Sequence, residues 1–79
     1  MKANIYVTLK REVLDPQGDA VKRALSTLQL GDVRDVRVGK LIEIELDQAD
    51  RGAAEEQLEA MCEKLLANPV IEDYRFEIF

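Results

Sequence analysis

The groups able to do chemistry in this chain are sixteen carboxylates, eleven Lys and Arg side chains and a single thiol; there is no histidine. Without imidazole, the Ser–His, Cys–His and His–metal constellations all drop out together. The thiol, Cys62, falls beside the apolar stripe of a helical segment with glutamates around it. No neighbouring base or cation would draw it to the thiolate, so it reads as a small packed residue. Glu55, Glu59 and Glu63 are spaced i, i+4, with Glu56 alongside. Such a row could touch a divalent cation, but Mg²⁺ or Ca²⁺ needs a convergent cage. The row reads as a solvated helix face, with Glu55 and Glu56 favoured near the positive helix start. Gly31, Gly39 and Gly52 stand alone, and no glycine-rich phosphate loop is present. Gly18 opens a helix whose first N–H groups could meet an anion, but Asp15 and Asp19 would repel it. We expect no catalytic, cofactor-binding or metal-binding residue on this chain.

Six elements must carry the remaining side chains. Ile5, Val7 and Leu9 alternate with Tyr6, Thr8 and Lys10, the period of a half-buried strand. Val13-Leu14-Asp15-Pro16-Gln17-Gly18 then marks a strand-to-helix junction. Asp15 suits an N-cap, and Pro16 suits the first helical position, where no N–H is needed. Val21, Ala24, Leu25 and Leu28 form the apolar stripe of this helix, and Gly31 suits its exit. Val36 and Val38, then Ile42, Ile44 and Leu46, predict a β-hairpin around Gly39-Lys40. A connection of odd length pairs Val38 with Ile42, Val36 with Ile44 and Arg37 with Glu43. A second helix is expected from about Gly52 to Ala67, capped by Asp50 and ended by Asn68-Pro69. Its stripe is Ala54, Leu58, Met61, Leu65 and Leu66. In the last run, Val70 to Phe79, Tyr74, Phe76 and Ile78 share one face.

The order is therefore β-α-β-β-α-β across one domain, residues 1–79, of α+β class. The economical arrangement is a two-layer sandwich: a four-stranded antiparallel sheet with two helices on one face, a ferredoxin-like element order. Seventy-nine residues bury only roughly 60–65% of the unfolded surface, so self-association or a partner is expected to complete the core. The face away from the helices would carry Tyr6, Thr8, Lys10, Asp35, Arg37, Glu43, Glu45, Arg75 and Glu77. Tyr and Arg are enriched at interfaces, and the candidate interface residues are Tyr6, Lys10, Arg37, Lys40, Tyr74 and Phe79. The net charge is −5, with both signs interspersed, which argues against a nucleic-acid partner. No apolar run approaches the ~20 residues that cross a membrane, and Met1 to Tyr6 has no signal-peptide character. A lone cysteine suits a reducing, cytoplasmic setting.

Four segments in register carry a more specific signal: Val7-Thr8-Leu9-Lys10, Val13 to Gly18, Val36-Arg37-Val38-Gly39-Lys40 and Ala67 to Tyr74. Together they resemble the small PurS-type subunit of phosphoribosylformylglycinamidine synthase, over essentially the whole chain. The resemblance implies a place in de novo purine (IMP) synthesis, in an ATP- and glutamine-dependent ligase. A glutaminase subunit would release ammonia. A large synthetase subunit would hold ATP and magnesium and convert formylglycinamide ribonucleotide to the amidine. The small subunit would bridge the two, help ammonia pass between them and form a homodimer or larger homo-oligomer. The family transfers no catalytic residue onto this sequence. The same element order also serves ACT-type amino-acid sensors, with Gly18 in the region of their ligand loop. Acylphosphatase-like enzymes share it too, but Arg11 and Asn4 lack the spacing of their anion site.

Overall fold

A computed structural model describes all 79 residues. Strand β1 (Lys2–Leu9) leads to helix α1 (Pro16–Thr27), strand β2 (Gly39–Glu45), helix α2 (Arg51–Met61) and strand β3 (Glu72–Ile78). The fold is α+β: an antiparallel three-stranded sheet in the order β2-β1-β3, with two helices. The central strand aligns Ile5 with Ile42 on one side and with Phe76 on the other. That register puts Ala3, Ile5 and Val7 on one face, flanked by Ile42 and Ile44 and by Tyr74, Phe76 and Ile78. Helix α2 lies over this face. Ala54, Leu58, Cys62 and Ala67 are buried against it, and Ile5, Leu58 and Cys62 are fully enclosed.

The start of each helix follows from its cap. Asp50 accepts hydrogen bonds from the N–H groups of Gly52 and Ala53, both at 3.3 Å. Asp15 caps α1 through the Gly18 N–H at 3.0 Å, and its second oxygen takes the Val38 N–H at 2.8 Å. One buried carboxylate thus joins the helix start to the segment entering β2. Arg37 closes the same junction, its Nη2 donating to the carbonyls of Leu9, Lys10 and Val13 at 3.3, 2.8 and 3.1 Å. Gly18 sits flush beneath the Val36 carbonyl, where any Cβ would collide. Helix α1 leaves through Gln29 and Gly31, which take φ values of 58° and 114°.

Three expectations are corrected. The fourth strand is absent: from Asp32 to Glu45 the chain runs without turn or bend, and residues 32–38 pair with no strand. The hairpin at Gly39-Lys40 is therefore open. Gly39 serves close packing instead, because a Cβ there would strike the Val7 carbonyl oxygen of the neighbouring strand. Second, only α2 covers the sheet. Helix α1 packs face-on against neither the sheet nor α2, and Leu28 in its stripe is 65% exposed. Third, the last turn of the second helix, Cys62–Leu66, winds wider, in π fashion. The extra residue per turn rotates the stripe, so Leu66 reaches the core while Leu65 is 82% exposed.

The result is open and thin. The radius of gyration is 15.9 Å, against about 12 Å for a compact chain of this length. Replacing Leu58 by Ala should cost about 2–5 kcal/mol. That is a large part of the roughly 4–12 kcal/mol available to a chain this size, and urea unfolding will read it. The backbone bonds from Gly18 and Val38 hold the Asp15 carboxyl below its ordinary range. Its contribution is present above the unfolded carboxylate pKa of about 4 and disappears as pH falls through the lower folded value. The gap in urea midpoint between wild type and Asp15→Ala should therefore be widest near neutral pH and shrink below about pH 4.

Candidate functional site

The uncovered face of the sheet is built by the alternate residues of the same three strands. Asn4, Tyr6 and Thr8 of β1 lie between Leu41 and Glu43 of β2 and Asp73, Arg75 and Glu77 of β3. Tyr6 is the centre of a cross-strand row, with Leu41 on one side and Arg75 on the other. The Arg75 guanidinium stacks 4.0 Å from the centroid of the Tyr6 ring and also bonds Glu77 at 2.9 Å. Cation–π contact and a carboxylate together fix a long side chain in one pose. Leu41 is 53% exposed at the edge of this row. The row, with Thr8 and Asp73, lines a shallow, open concavity. Lys10 reaches Asp73 at 3.0 Å, and that bonded carboxylate raises its pKa.

The candidate interface residues disperse over the molecule. Tyr6 lies on the open face, and Lys10 stands at its rim. Arg37 is half-buried and committed to the junction carbonyls, while Asp35 pairs with Arg11 at 3.2 Å. Neither residue joins the open sheet face, because the strand that would have carried them there does not form. Lys40 sits opposite Val7 at the covered side and approaches Glu72 at 3.7 Å. Tyr74 also lies on the covered side, opposite Val7, and donates its hydroxyl to Glu63 at 2.8 Å. That bond is the main cause of its pKa being pushed up to about 12. Phe79 is 68% exposed at the end of the sheet.

Two residues of the surface were not among the candidates. Leu41 breaks the alternation of β2 by placing an apolar side chain outward beside Ile42. Arg75 needed the register to bring it over Tyr6. The catalytic alternatives find no geometry. Cys62 is enclosed, and burial, then Glu63 and Glu59, push its thiol pKa up. No group of three His, Cys, Asp or Glu side chains is placed to hold a metal ion. Gly18, the sensor-type candidate, is buried under Val36 and offers no space to a ligand. Arg11 is bonded to Asp35, and Asn4 lies within β1. No helix is long and apolar enough to cross a membrane. A thiol reagent should leave Cys62 unmodified in the folded chain over hours and label it within minutes in denaturing urea; rapid native labelling would contradict its enclosure.

The comparisons with known proteins agree on one family. The family model described as PurS, phosphoribosylformylglycinamidine (FGAM) synthase, matches residues 2–79. The FGAM synthase subunit PurS of Bacillus subtilis is 51% identical over 77 residues, 98% of this chain and 90% of that protein. The PurS subunit of Methanocaldococcus jannaschii is 40% identical over 77 residues, 98% of this chain and 93% of its own. Among solved structures, a chain of PurLQS from Thermotoga maritima superposes with a TM-score of 0.89 at 34% identity, covering 96% of this chain and 93% of that one. Bacillus subtilis PurS superposes with a TM-score of 0.83, covering 96% of this chain and 94% of that one. The chain belongs to the PurS family of FGAM synthase subunits.

Proposed function

We propose that this chain is the non-catalytic assembly subunit of its FGAM synthase. It bridges a glutaminase and an ATP-dependent synthetase and assembles with further copies of itself, in the cytoplasm. The observation that carries this reading is the pairing of a full-length PurS match with a surface that offers adhesion and no reacting group. The chemistry of the enzyme explains why such a subunit is useful. Ammonia released from glutamine protonates and escapes in water, so its source and acceptor must stay aligned. Enforced proximity is worth ~7–11 kcal/mol in favourable cases. ATP and magnesium belong on the synthetase, where the formamide oxygen is activated for displacement by ammonia. This chain supplies position.

The open face is the proposed contact with the partner subunits. Tyr6, Leu41 and Arg75 form its apolar and aromatic centre, with Lys10 and Asp73 at the rim. Aromatic and Arg side chains held rigidly at the centre of a surface are the usual carriers of binding energy. Arg37, Lys40 and Tyr74 act one step back, holding the junction, β2 and α2 in place. Phe79 extends the apolar contact at the end of the sheet.

Reconstitution tests the proposal. Mixing the purified glutaminase and synthetase subunits should give little glutamine-dependent amidine formation, and adding this chain should restore it. Synthesis driven by free ammonium should not require the chain. Full glutamine-dependent activity from the two partners alone would refute the assembly role. Arg75→Glu removes the stacked cation from an exposed site. It should weaken assembly about tenfold, roughly 1.4 kcal/mol, while leaving the thermal midpoint of the isolated chain within a few degrees of wild type.

A further inference from the structure

Most cations of this chain are already engaged. Lys10, Arg11, Lys40, Arg51 and Arg75 each pair with a carboxylate, and Arg37 is held by the junction carbonyls. In a chain with sixteen carboxylates and eleven Lys and Arg side chains, an unpaired cation is the exception. Two of the exceptions, Lys22 and Arg34, meet in one place. They line an open concavity of about 350 Å³ at the exit of α1, whose wall is completed by Ser26, Gly31, Asp32 and Val33.

The elements explain the meeting. Lys22 and Ser26 are spaced i, i+4 on α1 and so share one side of that helix. The chain then turns back through Gln29 and Gly31, both at positive φ. Asp32 and Arg34 follow, two residues apart on the return segment. Nothing lies within 4 Å of the point where a Gly31 side chain would begin, so the concavity is unobstructed there. The backbone adds donors, because no N–H from Gly31 to Arg34 is bonded to another backbone group. The negative end of α1 opposes an anion only weakly. Its carbonyls at Ala24, Leu25 and Ser26 already accept the N–H groups of Leu28, Leu30 and Gln29.

We propose that this concavity binds a sugar monophosphate: Lys22, Arg34 and the Ser26 hydroxyl hold the phosphate, and Asp32 accepts hydrogen bonds from the hydroxyls of the sugar. Asp32 is what separates one class of ligand from another. A site for a bare oxyanion is weakened by a carboxylate in its wall, since the two repel. An ionised carboxylate accepts hydrogen bonds and donates none, so it suits a ligand that carries hydroxyls beyond its phosphate. The volume agrees, because it lies within the range of roughly 300–1,000 Å³ typical of small-molecule sites. The four polar side chains are exposed. Exposed ion pairs are screened by water, which sets the affinity at a Kd of about 1 mM. The site shares no residue with the open sheet face, so it stands or falls independently of the assembly role.

Amide resonances of the isotope-labelled full chain test the proposal. Ribose 5-phosphate, added at constant ionic strength, should move the signals of Ser26, Gly31, Asp32 and Arg34 along a saturating curve with a Kd of about 1 mM. Inorganic phosphate should bind there several-fold more weakly, and ribose should leave the signals in place. Lys22→Gln/Arg34→Gln should weaken binding of both phosphates about tenfold or more. Asp32→Asn should act in opposite directions, weakening ribose 5-phosphate and tightening inorganic phosphate. All three positions are exposed, and unchanged thermal midpoints would show that the variants stay folded. No saturating shift at tens of millimolar ribose 5-phosphate, binding that survives in the double Gln variant, or equal affinity for the two phosphates would overturn the proposal. So would an Asp32→Asn variant that binds ribose 5-phosphate as tightly as wild type or more tightly, which is the behaviour of a simple anion patch.

Discussion

The architecture turns on the carboxylate of Asp15. Its two oxygens accept N–H groups from Gly18 and Val38, residues twenty positions apart in sequence but adjacent in space. One contact begins α1 and the other fixes how the chain enters β2. Arg37 supports the same junction by gathering three carbonyls of the loop that leaves β1. A buried carboxylate is costly unless its oxygens are satisfied, and here backbone donors and a nearby guanidinium satisfy them. The direction of α1 is thus set by polar bonds at its base and not by burial of its apolar stripe.

That division of labour explains how a small domain can be both folded and incomplete. The interior is narrow: one helix and its wide last turn over the middle strand, centred on Ile5, Val7, Leu58 and Cys62. Nine of 79 residues are buried, fewer than an independent protein would favour. The exposed apolar side chains are spread along the molecule, at Leu14, Val21, Leu28 and Leu30 around α1 and at Leu41, Leu65, Val70, Ile71 and Phe79 elsewhere, and they set the chain apart from a self-sufficient globule. For a member of the PurS family this is consistent with work done in company. A subunit of a larger enzyme gains from surfaces left unsatisfied until assembly.

Local chemistry was legible in the sequence, and long-range pairing was not. Asp15-Pro16 and Asp50 announced their helices because a cap is a property of a few adjacent residues. The alternation of Ile5, Val7 and Leu9 fixed the buried face of β1 because the period of two needs no knowledge of neighbours. The stretch from Val36 to Ile44 was different. Alternation states which side chains share a face, and it is the same whether the run folds back on itself or continues straight. Its partner from Gly39 onward is another strand, with Thr8 opposite Gly39 and Val7 opposite Lys40, which no pattern within the stretch records. Leu65 was misplaced for a related reason, since a stripe drawn at 3.6 residues per turn fails where the helix widens. Of the interaction surface, Tyr6 was visible as an exposed aromatic, whereas the Leu41–Tyr6–Arg75 row existed only once three strands were in register.

The thinness of the molecule has a consequence for scale. Its backbone measures 48 × 25 × 14 Å, so its shortest dimension is only the depth of one helix laid on one sheet. A compact globule with the same radius of gyration would require about 180 residues. Drawing the chain into a slat lets 79 residues supply a strut of considerable length, one that can be wedged between much larger bodies while displacing little of the volume they need for their own movements.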